Sequence, residues 1–400
     1  MQKNYLQATG IVAEYNPFHN GHLYHVQETK RLTGLPVIAV MSGSFMQRGE
    51  PAILSKWQRA SLAIAGGVDL VVELPTAFSL RSAQFFAQGA VQILNATGCV
   101  SHLACGVESP ELDFTAIAAA ITAPQAQERL KALLSKGLGY AAACAQVLPE
   151  FGLTTPNDIL ALEYCKALQN TNIRPLFIKR HDRGYNSTEI TVGTNTLASA
   201  TAIRQALRQR DNAWQQAVPP ATAAALHSAH PGYDETLLWQ LLRYRLRLFT
   251  APQIAARCQC SEGLENLLKS AADCATLQKA LAVCTNKRYS TSRIRRLLLQ
   301  LLLDRPRSQW EQDSTAYIRV LAFNDTGRQL LKAMKTRATL PILTKLGKNP
   351  YAKQNVAFQE QLALDCAATD LWSLLQLSPK LNHSNNDFLL SPIYATKEHP

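Results

Sequence analysis

The chain has 400 residues, a net charge of +12 and a pI near 9.3, and 47% of its residues are hydrophobic. No apolar run reaches the roughly 20 residues that a membrane span requires, and the N-terminus lacks the apolar stretch of a secretion signal. Together with nine scattered cysteines, which indicate reduced thiols, these features predict a cytoplasmic globular protein of two or three domains.

The first half of the sequence alternates short apolar runs with segments of helical periodicity. Strands separated by helices of 10–15 residues are joined by right-handed crossovers, which gives a parallel sheet with helices on both faces. We therefore predict a doubly wound α/β domain over residues 1–210. In chain order, the predicted strands are TGIVAEYN (9–16), LPVIAVMSG (35–43), VDLVVELP (68–75), CVSHLACG (99–106) and RPLFIKR (174–180). Gly34 is the predicted C-cap of the helix after the first strand, and Ser55 is the predicted N-cap of the helix after the second strand.

From residue 211 onward the sequence has helical periodicity and few strand signals. Pro219 and Pro220 mark a linker, so we predict a second, mostly α-helical domain over residues 221–400. Residues 211–400 hold 23 Lys and Arg against 15 Asp and Glu, whereas residues 1–210 hold 18 against 14. We expect a polyanionic partner to bind the more basic second half. Its predicted helix N-caps are Asp234, Ser261, Thr291 and Thr326.

The polar residues that follow the first strand are the strongest functional signal. Ligands of doubly wound sheets bind at the carboxyl ends of the strands, and His19-Asn20-Gly21-His22 follows the first strand and opens a helix. Helix N-terminal amides attract anions, and Gly21 lets a phosphate approach the backbone. His19 and His22 can both donate hydrogen bonds to phosphate oxygens. A pair of surface histidines at a helix start is the alternative.

A zinc site is a second alternative for the same histidines. His19, His22 and His25 are spaced by three residues, but no cysteine or carboxylate nearby completes a set of four ligands. We therefore predict no metal site here. Glu14, at the end of the first strand, is a candidate to position a divalent ion together with ATP.

A basic segment in the second half is the best candidate for binding nucleic acid. Residues 286–296 contain five basic residues, one tyrosine and no acid. Such a segment can follow a phosphate backbone, and Tyr289 can stack on a base. A solvated basic helix is the alternative. The predicted contacts are Lys287, Arg288, Arg293, Arg295 and Arg296.

Six separated motifs resemble those of the tRNA(Met) cytidine acetate ligase family, TmcAL, within the HxGH nucleotidylyltransferase superfamily. The resemblance runs in order from about residue 10 to residue 210, and NKRYSTSRIRRLLLQLLL extends it into the second half. The six motifs are GIVAEYNPFHNGHLYH (10–25), MSGSFMQRGEPAILSKWQRA (41–60), GVDLVVELP (67–75), ACGVES (104–109), PNDILALEY (156–164) and SATAIRQAL (199–207).

This resemblance implies a Rossmann-like nucleotidylyltransferase domain that carries out a two-step reaction. ATP, expected with Mg²⁺, reacts with acetate to give acetyl-adenylate and pyrophosphate. The acetyl group then passes to N4 of the wobble cytidine of elongator tRNA(Met), which forms N4-acetylcytidine. Residues 221–400 are then expected to bind the tRNA. We expect no bound prosthetic group and no obligate protein partner.

The resemblance also implies which residues form the ATP site. His19 and His22 are the implied catalytic residues, on the phosphates. The other implied ATP-binding residues are Val12, Ala13, Glu14, Tyr15, Asn16, Pro17, Phe18, Asn20, Gly21, Leu23, Tyr24, His25, Gly106, Asn157, Arg180 and His181.

Several of these positions, taken as residues alone, also have structural interpretations. Gly106 either lets adenosine lie against the backbone or serves a turn. Asn157 is either a ligand or a helix N-cap, and Arg180 either reaches a phosphate or is a solvated arginine. Lys56 and Arg59, one helical turn apart, either bind phosphate or a tRNA end or form a solvated helix face.

Residues 199–204 present the same choice, because a hydroxyl-rich helix start is either a phosphate loop or a plain cap. Two other functions remain open: a nucleotidylyltransferase that leaves the nucleotide on a small substrate, and an RNA-binding protein with a vestigial nucleotide fold. Acetate-dependent exchange of pyrophosphate into ATP is expected only of the ligase.

Overall fold

The computed structural model describes residues 6–152, 155–180, 197–228, 231–261, 263–347, 354–377 and 383–395. Within these residues, eight strands belong to one sheet. They are β1 Ala8–Ala13, β2 Val37–Ser42, β3 Leu70–Leu74, β4 Val100–Val107, β5 Arg174–Lys179, β6 Ile318–Phe323, β7 Ile342–Leu343 and β8 Ile393–Tyr394. Their order is β5-β4-β1-β2-β3-β6-β7, with β8 beside β6.

The first five strands are parallel, which confirms the predicted doubly wound sheet. β1 lies at the centre, between β2 and β4. The chain builds outward from β1 through β2 to β3 and then crosses to β4 on the other side. Strand order therefore reverses between β1 and β4, and in such sheets a ligand crevice opens beyond the carboxyl ends of those two strands.

Nine helices of the first half lie in the described residues, and two of their predicted caps are confirmed. Gly34 ends the first helix in the left-handed conformation, with φ 65°, and donates its N–H to the carbonyl of Lys30. Ser55 caps the second helix through the N–H of Gln58. The helices are α1 Asn20–Thr33, α2 Lys56–Ala65, α3 Thr76–Ser79, α4 Ala83–Ala96, α5 Phe114–Thr122, α6 Pro124–Ser135, α7 Tyr140–Val147, α8 Pro156–Leu168 and α9 Ala200–Gln209.

The described part of the second half is mostly helical, as predicted. None of the described helices has both the length and the apolar character that crossing a bilayer requires. Short 3₁₀ turns cover Pro149–Phe151, Asn212–Ala217 and Ala271–Asp273. The helices are α10 Pro220–Ser228, α11 Glu235–Leu248, α12 Ala251–Ala255, α13 Leu264–Ser270, α14 Leu277–Cys284, α15 Thr291–Leu303, α16 Arg307–Trp310, α17 Asp325–Arg337, α18 Val356–Leu374 and α19 Asn386–Leu389.

The predicted N-caps of this half are right once and wrong three times. Asp234 caps α11 by accepting the N–H of Leu237. The other three predictions missed by one or two residues. Ser290 and Asn324 already accept backbone N–H groups of the first turns of α15 and α17, whereas Gly263 precedes α13 without a side-chain cap. The caps of α13, α15 and α17 are Gly263, Ser290 and Asn324, where we predicted Ser261, Thr291 and Thr326.

The second half also completes the sheet, which its sequence did not predict. β6 pairs with β3 in antiparallel orientation, in the register Val71↔Ala322 and Val72↔Val320 with an irregularity between them. A single apolar run among many helical segments gave too weak a signal for this strand. The division at residues 210–221 stays a prediction, and the sheet takes strands from both sides of it.

A buried ionic cluster joins the two halves beneath the sheet edge. Lys56 is 1% exposed and Arg59 0%, so the alternative of a solvated helix face is wrong for both residues. Lys56 Nζ lies 2.9 Å from the carboxylate of Glu73 and 2.8 Å from that of Asp387, which Arg319 also approaches. Burial opposes the charge of Lys56, but the two carboxylates outweigh it and raise the pKa of the ammonium. Burial raises the pKa of Glu73 to about 7.

Candidate active site

A cavity of about 610 Å³ opens at the carboxyl ends of β1, β4 and β5. This volume is in the range of sites that hold small molecules. Most of the ATP-binding residues predicted above lie in its wall, although they come from four separate segments of the chain. They are Val12, Ala13, Glu14, Tyr15, Asn16, His19, Gly21, His22, Tyr24, His25, Gly106, Asn157 and Arg180.

The remaining predicted ATP residues lie outside this wall. Phe18 is buried in the core, where an added Cβ at Gly66 would come within 2.3 Å of its ring. Asn20 donates its side-chain amide to the carbonyl of Gln216 at 2.8 Å. Pro17 is buried, Leu23 is partly buried against the hydrophobic core that contains Tyr15 and Phe18, and His181 lies outside the described residues.

His19 and His22 form the start of α1 and stack on each other. The backbone N–H of Gly21 donates to Nδ1 of His19 at 3.1 Å, and that of His19 donates to Nδ1 of His22 at 3.3 Å. The ring centroids are 3.7 Å apart. Since Nδ1 of each ring accepts a bond, the proton of each neutral imidazole is on Nε2, which can donate to an anion.

The charge state of His22 follows from its surroundings. Burial, the neighbouring His19 and the guanidinium of Arg180 hold the pKa of His22 well below its ordinary value. Burial and Arg180 likewise lower the pKa of His25 to about 4. Both rings are therefore neutral near pH 7, and His22 can donate a hydrogen bond without carrying a positive charge.

Several buried polar atoms of the cavity wall make no hydrogen bond within the described part of the chain. They are Tyr15 Oη, Asn16 Nδ2 and His25 Nε2. An unmade buried bond costs about 1–3 kcal/mol, and Tyr15 also has φ 47°, a left-handed conformation that is strained for a tyrosine. Such unfavourable features concentrate at functional sites, which supports a ligand in this cavity.

Arg59 fixes the ends of the two central strands. Its guanidinium donates to the carbonyl of Glu14 at 2.7 Å, to that of Ser42 at 3.0 Å, to that of Leu54 at 3.2 Å and to that of Gly43. Burial lowers its pKa to about 10. Arg59 therefore holds the backbone after β1 against the backbone after β2 and does not line the cavity.

Glu14 is the one carboxylate in the described wall of the cavity. Its Oε1 accepts the backbone N–H of Gln47 at 2.7 Å. Burial raises its pKa, while that N–H and the guanidiniums of Arg204, Arg48 and Arg59 lower it. Among the described residues, no group of three His, Cys, Asp or Glu side chains could hold a metal ion. A single carboxylate already surrounded by cations does not make a protein-held Mg²⁺ site.

The structure excludes a turn at Gly106 and a helix N-cap at Asn157, and nucleotide binding by both residues stays a prediction. Gly106 lies within β4, paired with Ile178, and not in a turn. A Cβ at this position would stand 3.2 Å from Cγ of Arg180, so the glycine lets the Arg180 side chain cross the strand. Asn157 is not the N-cap of α8, which is Thr155. Its side-chain amide donates to the Glu108 carboxylate.

Other residues of the wall were not predicted. Tyr140, at the start of α7, donates to the carboxylate of Glu163 and accepts from Nζ of Lys166 at 2.9 Å. It belongs to no motif, and only the packing of α7 brings it to the site. Arg204 was predicted only as part of a helix start. The further wall residues include Gln47, Arg48, Ser82, Gln84, Tyr164, Lys179, Thr201, Arg204, Ser290, Ser292 and Arg296.

The basic segment divides between the surface and the cavity. Lys287 is exposed and Arg288 partly so, whereas Tyr289 is 6% exposed and packs under Arg293, so its predicted stacking on a base is wrong. Arg293 donates to the hydroxyl of Ser261 at 2.7 Å. Arg295 and Arg296 point inward, onto the loop that follows β2: Arg295 pairs with Glu50 and Arg296 bonds the carbonyl of Gln47.

Comparison with known proteins identifies relatives that match almost the whole chain. A family model described as HIGH Nucleotidyl Transferase matches residues 6–387. A tRNA(Met) cytidine acetate ligase of Leuconostoc mesenteroides is 41% identical over 386 residues, 92% of this chain and 95% of that protein. The protein of the same name from Syntrophomonas wolfei is 37% identical and covers 97% of this chain and 99% of its own.

Two solved structures show the same similarity in three dimensions. The crystal structure of Thermotoga maritima TmcAL bound with alpha-thio ATP has a TM-score of 0.87 and 32% sequence identity. The apo form of that protein has a TM-score of 0.89 and 31% identity. Each match covers 98% of this chain and 100% of the other.

Proposed function

This chain belongs to the tRNA(Met) cytidine acetate ligase family of HIGH nucleotidyl transferases, and from that membership we propose that it acetylates the wobble cytidine of elongator tRNA(Met) at N4, using ATP and acetate. The observation that carries the proposal is the stacked pair His19 and His22, which lies in the cavity wall at the start of α1 and at the switch point of the sheet. Ring N–H donors that are fixed in place before the nucleotide arrives suit a phosphate whose charge shifts during reaction.

In the first step, an acetate oxygen attacks the α-phosphorus of ATP. A new P–O bond forms, the bond to pyrophosphate breaks, and pyrophosphate leaves with the electron pair. His19 and His22 donate to the phosphates, while the guanidiniums of Arg180, Arg204 and Arg296 in the cavity wall balance the charge of the leaving group. Activation is needed because acetate itself would have to expel oxide.

In the second step, the N4 amine of cytidine attacks the carbonyl carbon of acetyl-adenylate. The new C–N bond forms as AMP leaves, and N4 loses a proton. We propose that Mg²⁺ enters as the complex with ATP, because the described wall offers only Glu14 to a metal ion. We place the reaction in the cytoplasm, where the tRNA substrate is found.

Exchange of labelled pyrophosphate into ATP tests this proposal directly. The purified protein is expected to catalyse exchange that depends on acetate and does not need tRNA, because acetyl-adenylate formation is reversible. Added elongator tRNA(Met) should then acquire N4-acetylcytidine, detected by mass analysis of the nucleosides. Exchange without acetate would contradict the proposal, and so would a complete lack of exchange.

We propose that tRNA meets the basic segment at its exposed end, Lys287 and Arg288, with Arg293, Arg295 and Arg296 behind it. Lys287→Ala with Arg288→Ala is expected to weaken tRNA binding and to reduce the slope of log affinity against log salt by about 2, since each phosphate contact contributes about 0.9 for a duplex. Filter binding across a salt series measures both effects.

A matched control removes the same amount of positive charge as the test variant. Lys332 and Lys335 are two exposed lysines of α17, and their double alanine variant removes as much charge from another surface. It is expected to bind tRNA with a nearly unchanged salt slope. If the two double variants had equal slopes of log affinity against log salt, the basic segment would not be the surface that binds RNA.

A further inference from the structure

Residues 43–51 form the first part of the connection between β2 and α2, called the 43–51 loop below, and lie directly against helix α15 of the second half. At Gly49, φ is 76°, and an added Cβ would come within 2.6 Å of the Arg295 Cβ and of the Arg296 backbone nitrogen. Only a glycine allows this approach. The 43–51 loop is therefore seated on the same helix that carries part of the basic segment.

Within this loop, Glu50 bridges two arginines that lie on different helices, Arg204 on α9 and Arg295 on α15. Its Oε1 lies 2.8 Å from Nη1 of Arg295, and its Oε2 lies 3.3 Å from Nη2 of Arg204. The three side chains are only 13–18% exposed. A bridge this shielded is weakened less by salt than a surface ion pair.

Arg204 is the end of this bridge that faces the nucleotide cavity. It lies in the first turns of α9, and its Nη1 donates to the carbonyl of Asn16 at 2.9 Å. Glu50 and Asn16 thus fix the guanidinium from two sides and leave it in the cavity wall. The Nη2 of Arg204 also donates to the Thr201 hydroxyl at 3.4 Å, so without Glu50 the guanidinium loses its only charged partner among these three.

The next residue of α15 makes a second connection that runs parallel to the first. Arg296 donates to the carbonyl of Gln47 at 3.0 Å, and the N–H of Gln47 donates to Glu14 at 2.7 Å. Adjacent arginines of α15 therefore reach Glu14 and Asn16, which are both in the segment after β1. Helix α15 and this segment are held as one unit.

We propose that Glu50 is a positioning residue for acetate activation: it holds Arg204 at the nucleotide by bridging it to Arg295, so that α15 belongs to the ATP site as well as to the tRNA surface. This inference rests on the function proposed above. Glu50 does not touch substrate, and it acts through Arg204.

Glu50→Gln tests the bridge, because it keeps the shape of the side chain and removes its charge. The readout is the affinity for α,β-methylene ATP, measured by calorimetry without acetate. We expect affinity to fall about tenfold, the size of one misplaced charge-assisted hydrogen bond. Arg295→Gln should weaken binding similarly, although Arg295 is not in the cavity wall, and the double variant should be no weaker than either single variant.

Two further variants complete the experiment. In Glu50→Asp the side chain is too short to reach both arginines. The affinity of this variant for the analogue should lie between those of Glu50→Gln and the unmodified protein. Glu311→Gln removes an exposed pair with Arg307 and should bind the analogue normally. Unchanged analogue affinity in Glu50→Gln would overturn the proposal, as would losses that add in the double variant. The binding measurement contains no acetate, so its result does not depend on the acetate reaction. A failure of acetate-dependent exchange would therefore contradict the proposed function without affecting the test of Glu50.

Discussion

His22→Ala is expected to reduce acetate-dependent pyrophosphate exchange by about 100- to 1,000-fold, the usual effect of removing one preorganised donor from a charge-stabilising site. The effect should be large because His22 has two functions. Its side chain lines the cavity, and its Nδ1 accepts the His19 N–H and so completes the cap of α1. The alanine variant loses the donor and also frees the ring of His19 that stacks on it.

Binding of tRNA should persist in His22→Ala, because the basic segment lies on other elements. His102→Ala is the matched control, since His102 is a partly buried histidine of β4 that does not line the cavity. Its exchange rate is expected to stay within about twofold of the unmodified protein, a change worth less than 0.5 kcal/mol. Full exchange activity in His22→Ala would remove this histidine from the mechanism.

Lys56→Met is expected to lower the free energy of unfolding by about 3–5 kcal/mol, because it leaves the buried carboxylates of Glu73 and Asp387 without their shared partner. Urea denaturation followed by circular dichroism measures the loss. Arg31→Met, which removes an exposed pair with Glu28, is the control and should cost less than about 1 kcal/mol. Equal losses in the two variants would show that the buried cluster contributes little.

The pH dependence of the Lys56→Met loss has a definite sign. Burial already raises the pKa of Glu73 to about 7, and removal of the ammonium raises it further. A group whose pKa is higher in the folded state stabilises the fold at low pH, and this contribution is lost as pH rises through the folded-state pKa. The variant should therefore be more stable at pH 5.5 than at pH 8, relative to the unmodified protein.

Local sequence patterns predicted the parallel sheet, and together with the family resemblance they predicted most of the residues that line the cavity. Apolar runs ending in polar residues place His19, Gly106 and Arg180 at one edge, since carboxyl ends of parallel strands meet there. The features that were not predicted depend on contacts between residues that are far apart in the sequence. Lys56 gave no sign of burial, because its partner Asp387 is 331 residues away.

Contacts between distant parts of the chain also explain two other features that the sequence did not predict. Tyr140 reaches the cavity only through the packing of α7 and its bonds to α8, which no local motif records. Arg295 and Arg296 look like solvated cations in the sequence, but the 43–51 loop of the other half supplies their acceptors. Charge alone indicates a partner and does not identify it.

The ionic cluster beneath the sheet has a consequence for the order in which the molecule matures on the ribosome. Lys56 and Glu73 leave the exit tunnel early, yet Asp387 is translated more than 300 residues later. Until then, the nascent nucleotide-binding half also lacks β6 at its sheet edge. This half therefore reaches its final packing only after translation has passed Asp387, and a chaperone that shields the β3 edge would have its greatest effect during that interval.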